Sequence, residues 1–220
     1  MRRATTMAVA VAVSLVLAGG ARGGVITFGL AEEFSGAAEP QGPKPWLTAV
    51  FDDEGTLGSV KLTLDTTNLV GSESVTGWYL NLDPLLDPAS LSFSSQTKTG
   101  TFDAPTINKG VNAFKADGDG YFDILFAFST SGGSDERFGV GDSIEYSITG
   151  IAGLAASSFY YPSADNKGVP AANGLYTAAH VQSIANDPNG TSGWVTAPEP
   201  ATVALLGLGG VGLVLTRRRR

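Results

Sequence analysis

Short runs of alternating apolar and polar residues, broken every few positions by Gly, Pro, Asp, Asn or Ser, constrain this chain more than any other feature. In Val60-Lys61-Leu62-Thr63-Leu64-Asp65 the even positions are apolar and the odd ones polar. Phe122, Ile124, Phe126 and Phe128 repeat that period, as do Ile144, Tyr146 and Ile148 against Glu145, Ser147 and Thr149. A period of two places every second side chain on one face of a strand, so such runs read as half-buried β-strands. Further strands are expected at Val25–Leu30, Trp46–Phe51, Val75–Leu82, Leu91–Ser95, Ser157–Tyr161 and Ala179–Ile184, about nine in all. Turns are expected at 52–55, 83–84, 87–88 and 139–142, where Asp, Gly and Pro cluster. Leu154 to Ser158 has room for one helical turn, and nothing reads as a long amphipathic helix. The expectation is an all-β antiparallel sandwich, jelly-roll-like or otherwise.

The two ends follow different rules. Met1-Arg2-Arg3 precedes an apolar stretch from Met7 to Ala18, with small residues at Gly19, Gly20, Ala21, Gly23 and Gly24. A basic start, a short apolar run and small residues after it read as a secretory signal peptide over 1–23, cut after Ala21 or Gly23. At the other end, Pro198-Glu199-Pro200 precedes 16 uncharged residues, 201–216, and then Arg217-Arg218-Arg219-Arg220. As a helix, 201–216 would span about 24 Å, slightly short of a ~30 Å hydrocarbon core, and snorkelling arginines make up part of the difference. The terminal arginines place the tail in the cytoplasm and the body across the membrane. Within that tail, 207–212 matches G-x-G-x-x-G, but no soluble βαβ unit surrounds it and the chain stops eight residues later. The dinucleotide reading is therefore set aside.

Between these ends lies an expected ectodomain, 24–186, and a polar stalk, 187–197, rich in Pro, Gly and Asn. From 24 to 197 there are 7 basic against 20 acidic residues, a net of −13. Such a body repels phosphate backbones, which excludes nucleic-acid binding. With no cysteine and a single histidine, disulfide scaffolds, thiolate metal sites, cysteine nucleophiles and paired-imidazole relays are excluded too.

The tail resembles the PEP-CTERM sorting signal in its motif, its spacing and its final arginine cluster. The resemblance implies recognition of Pro198, Glu199 and Pro200 by an exosortase-type enzyme, with Arg217, Arg218, Arg219 and Arg220 as the membrane stop. It also implies an inner-membrane intermediate and delivery to the surface or exopolysaccharide matrix of a Gram-negative bacterium. Residues 71–79, 117–128, 139–150 and 178–184 resemble uncharacterised PEP-CTERM proteins, a likeness that brings no known activity.

Chemistry within the body is sparse. Asp117-Gly118-Asp119-Gly120-Tyr121-Phe122-Asp123 gathers three carboxylates on a glycine-rich loop, a pattern that suits Ca²⁺. A full EF-hand is excluded because Lys115 and Phe126 stand at its first and last ligand positions. Asp117, Asp119 and Asp123 remain as a smaller candidate site beside the plainer reading of a solvated turn. Asp52-Asp53-Glu54 offers the same choice between cation and turn. His180 has no G-x-S-x-G elbow to serve and reads as a packed strand residue. Trp46, Trp78, Trp194 and Phe159-Tyr160-Tyr161 could stack on sugars or fill a core, with Tyr160, Tyr161 and Trp78-Tyr79 the places to look. The expected function is that of a non-enzymatic secreted protein. The alternatives are a carbohydrate-binding module and a matrix glycan hydrolase, the latter requiring a carboxylate pair about 5–10 Å apart.

Overall fold

The computed structural model describes residues 24–118, 120–165, 168, 174–185, 188 and 190–197. The signal-peptide segment and the tail 198–220, with its motif and arginines, lie outside the described residues. Among the described residues twelve strands form two antiparallel sheets, and the only helices are single 3-10 turns. The first sheet runs β1 (Val25–Leu30), β3 (Leu47–Asp52), β4 (Val60–Asp65), β10 (Ser143–Thr149) and β6 (Ser92–Thr99). The second runs β2 (Glu32–Glu33), β12 (Ser192–Thr196), β11 (Thr177–Gln182), β5 (Ser74–Leu80), β8 (Tyr121–Ala127) and β7 (Thr106–Lys115), with β9 (Phe138–Gly139) also on β5.

Alternation does what the sequence asks of it. In β3 and β4 every odd member of the strand is buried and every even one half-exposed, and β10 continues the rule from the next position. Leu62 and Leu64 therefore join Phe28, Phe51, Ile144 and Ile148 on one face of the first sheet. Trp78, Leu80, Ile124, Phe126, Val181 and Val195 of the second sheet belong to the same core. One core drawn from both sheets means that their inner faces are packed together, as in a sandwich. Fully burying a side chain such as Phe or Leu stabilises by roughly 1.5–3 kcal/mol, so this layer dominates the stability. Its largest members include Trp46, whose Nε1 donates to Gly42 O at 3.0 Å, and Trp78, whose Nε1 donates to Thr177 Oγ1 at 3.0 Å.

β6 runs on to Thr99, past the expected Leu91–Ser95, the short strands β2 and β9 are additional, and three further segments depart more sharply from the sequence reading. Ser157–Tyr161 is not a strand: Ala156–Phe159 is a 3-10 helix, in which Phe159 stacks on Phe51 with ring centres 4.4 Å apart. Filling a core from a loop needs only one inward ring, not an extended run. The stalk expected at 187–197 is shortened, because Ser192–Thr196 is strand β12, laddered to β11 on one side and β2 on the other. Val195 is fully buried there, and Thr196 Oγ1 donates to Thr177 O at 2.6 Å. The folded body thus reaches Ala197. The longest strand, β7, was not expected at all. It is an edge strand with no fully buried position, and its register on β8 shifts between Lys109 and Phe114.

Candidate functional site

The second sheet is covered on both faces. Ala178 and Ala179, neighbours in β11, belong to different hydrophobic clusters, so their side chains lie on opposite faces. The outer cluster contains buried Ala116, Phe122 and Ala178, with Phe34, Tyr79, Leu175 and Trp194 half-buried against it. Trp194 is its centre: Tyr79 lies 5.4 Å away between ring centres, Phe34 6.4 Å and His180 4.8 Å. Local backbone rules place these rings together. His180 is the cross-strand partner of both Trp194 and Gly77. A Cβ on Gly77 would stand 3.0 Å from Tyr79 Cε2, so glycine at 77 lets the Tyr79 ring lie down over the strand.

Polar groups border these rings. Thr76 Oγ1 and His180 Nδ1 are 2.7 Å apart. Burial holds the His180 imidazole below its usual pKa, against a smaller pull upward from the charge of Asp117. Burial likewise pushes the Tyr79 phenol up. An indole, a phenol, a phenyl ring and a neutral imidazole on one sheet face suit stacking and hydrogen bonding to an uncharged polar ring. Of the aromatic residues singled out in the sequence, Tyr79 and Trp194 meet here. Trp46 and Trp78 are core residues, Tyr160 stacks on Tyr176 at 4.4 Å, and the Tyr161 hydroxyl donates to Asp83 Oδ2 at 2.9 Å. Phe34 gave no sequence signal, since β2 is only two residues long.

The carboxylates behave differently from the calcium expectation. Asp119 lies outside the described residues, and Asp117 is exposed at φ 48°. Asp123 leaves the set. It is 7 % exposed, with Oδ2 accepting from Leu82 N at 3.0 Å and Oδ1 from Asn112 N at 2.8 Å. Burial raises its pKa, against the two amides, which lower it. A strand residue can be near a loop in sequence and still be committed to the interior. Among the described residues no three His, Cys, Asp or Glu side chains are grouped as a metal site.

Asp52-Asp53-Glu54 also divides. Glu54 pairs with Lys61 at 2.8 Å on the surface. Asp53 turns inward and accepts from three backbone amides, Gly24 (2.7 Å), Gly55 (3.0 Å) and Ala156 (3.1 Å). Burial pushes the Asp53 carboxyl up, but the three amides together outweigh it and hold its pKa below the ordinary 3.8. Elsewhere a cleft of about 300 Å³ is lined by Ser72, Ser74, Asp142 and Arg137 among others, and the buried Arg137 Nε has no acceptor among the described residues.

Among the described residues no helix is long and apolar enough to cross a membrane, and 201–216 lies outside them. No curated protein matches the chain, and no solved structure does. One family does match: the PEP-CTERM protein-sorting motif, over residues 196–220. It begins at the last residue of β12, so the folded body runs directly into it. The chain therefore ends in a segment that matches the PEP-CTERM sorting motif, consistent with an exosortase substrate exported through a membrane-anchored intermediate to the cell surface.

Proposed function

We propose that this chain is a non-enzymatic, exported β-sandwich protein, displayed at the surface or in the exopolysaccharide matrix of a Gram-negative bacterium after processing at Pro198–Pro200. The sorting-motif match at 196–220 carries this reading. Three features support it further. The N-terminus has the pattern of a cleavable signal peptide, both ends are basic around an acidic body, and 201–216 is uncharged. In this reading the signal peptide exports the chain, the arginines halt the tail, and the processing enzyme works close to a structured strand. Replacing Arg217 to Arg220 with glutamine removes the cytoplasmic anchor. The expected outcome is loss of membrane retention and of processing, followed by fractionation and C-terminal peptide mass spectrometry. Surface protein that keeps Arg217 to Arg220 would sink the proposal.

A second reading, a carbohydrate-binding module at the same address, draws on one observation: the Phe34, Tyr79 and Trp194 rings beside His180 on the outer face of the second sheet. Retention of the exported protein on immobilised neutral glycans, lost in Trp194→Ala, favours this reading. Equal passage of both proteins rejects it.

A further inference from the structure

Asp53 is a buried carboxylate that meets no cation among the described residues. Among the described residues the ion pairs are Lys44–Glu39 and Lys61–Glu54, and the groups that meet Asp53 are the three amides of Gly24, Gly55 and Ala156. The shortest of these contacts comes from Gly24, at 2.7 Å, and Gly24 O accepts from Asp53 N at 3.1 Å in return. This two-way clamp fixes the first residue before β1. A Cβ at position 24 would stand 2.9 Å from Asp53 Oδ2, so glycine lets the backbone nitrogen come this close. In the sequence, Gly24 directly follows Ala21-Arg22-Gly23, where small side chains occupy the −3 and −1 positions that a signal peptidase reads.

We propose that export cuts the chain between Gly23 and Gly24, and that the new α-ammonium group of Gly24 is received by Asp53 as an ion pair found only in the processed protein. The proposal rests on reading residues 1–23 as a signal peptide. In the step itself, water adds across the Gly23–Gly24 amide and the C–N bond breaks. Gly23 leaves as a carboxylate, and the Gly24 nitrogen takes up the released protons to become an ammonium. Before the cut, Asp53 holds a neutral amide. After it, the same nitrogen brings the missing positive charge to a site that needs no rearrangement. A charge-assisted N–H···O contact is roughly twice as strong as a neutral one. The surroundings favour a cation as well. Asp52 lies next in sequence, with Oδ1 accepting from Glu54 N at 2.8 Å, and Glu54 is occupied by Lys61. Cleavage after Ala21 would instead leave Gly24 as an internal amide and the charge two residues away.

The test uses the protein as exported. N-terminal peptide mass spectrometry should return Gly24 as the first residue. Its α-amine should then react with an amine-labelling reagent at least about tenfold more slowly in the folded protein than in urea, the effect of a pKa raised by one unit. Asp53→Asn, which keeps shape without charge, should restore the fast rate. If that variant fails to accumulate, the pH at which the native α-amine becomes reactive is read instead, and it should lie above the ordinary value of about 8. A first residue of Arg22 overturns the proposal and leaves the signal-peptide reading standing, whereas a retained Met1 removes both. Gly24 at the terminus with equal labelling in folded and unfolded protein overturns the ion pair alone.

Discussion

The two sheets share a core but use their far faces in opposite ways. On the first, the outer positions of β3, β4 and β10, apart from Val50, are polar and at least half-exposed, Thr48, Asp52, Lys61, Thr63, Glu145 and Ser147 among them. On the second, the outer positions of β11, β12 and β5 include Ala178, Trp194 and Tyr79, which cluster with Phe34 and Leu175, and His180 beside Trp194. Strict alternation is what a sheet needs when one face is dry. A sheet with apolar residues on both faces has spent its outer surface on something beyond closing the sandwich. The second sheet is thus where a surface function has material to work with, and the first is a lid on the core.

The sharpest way to break this comparison is to empty the shared layer. Trp78→Ala removes a fully buried indole and orphans Thr177 Oγ1 from its donor. It should cost about 4 kcal/mol in urea unfolding. Trp194→Ala, on the outer face of the same sheet, removes a half-buried ring from its contacts with Tyr79, Phe34 and His180. The expected loss is about 2 kcal/mol. A loss as large as that of Trp78 would mean that the outer cluster is a second core and not a surface.

His180 sharpens the contrast through pH. Burial depresses its folded pKa below the ordinary 6.5, with Asp117 opposing. A group depressed in this way contributes stability that is fully present above its unfolded pKa. That contribution is lost as pH falls through the folded value. Urea midpoints of the wild type should therefore decline from about pH 7 to about pH 5 relative to His180→Asn. Parallel curves would show a solvated imidazole. The smallest effect belongs to the outer face of the first sheet. Thr63→Ala should change stability by less than about 0.5 kcal/mol. A larger change would show that this face, too, is covered.

Strand placement was legible where both faces of a strand spoke. β1 and β4 fall on the expected residues, and β3, β5, β8 and β10 agree to within a residue or two. β7 was silent because an edge strand keeps its register through its neighbour, not through its own apolar residues. β12 was misread because Gly and Asn around Gly193-Trp194-Val195 look like a linker until β11 and β2 supply ladder partners. The carboxylates show the same limit. Asp53 and Asp123 each sit in an acidic, glycine-rich stretch of sequence, and each is turned inward to backbone amides from distant segments.

By itself, the sequence determined the period of the strands, hence the all-β class, together with the sorting signal, since both are written in contiguous residues. Only the tertiary structure decided which rings share the outer face of the second sheet. It alone also set Gly24 against Asp53, 29 positions away. Such meetings depend on strand order and register, where residues far apart in the chain become neighbours and no local pattern records the pairing.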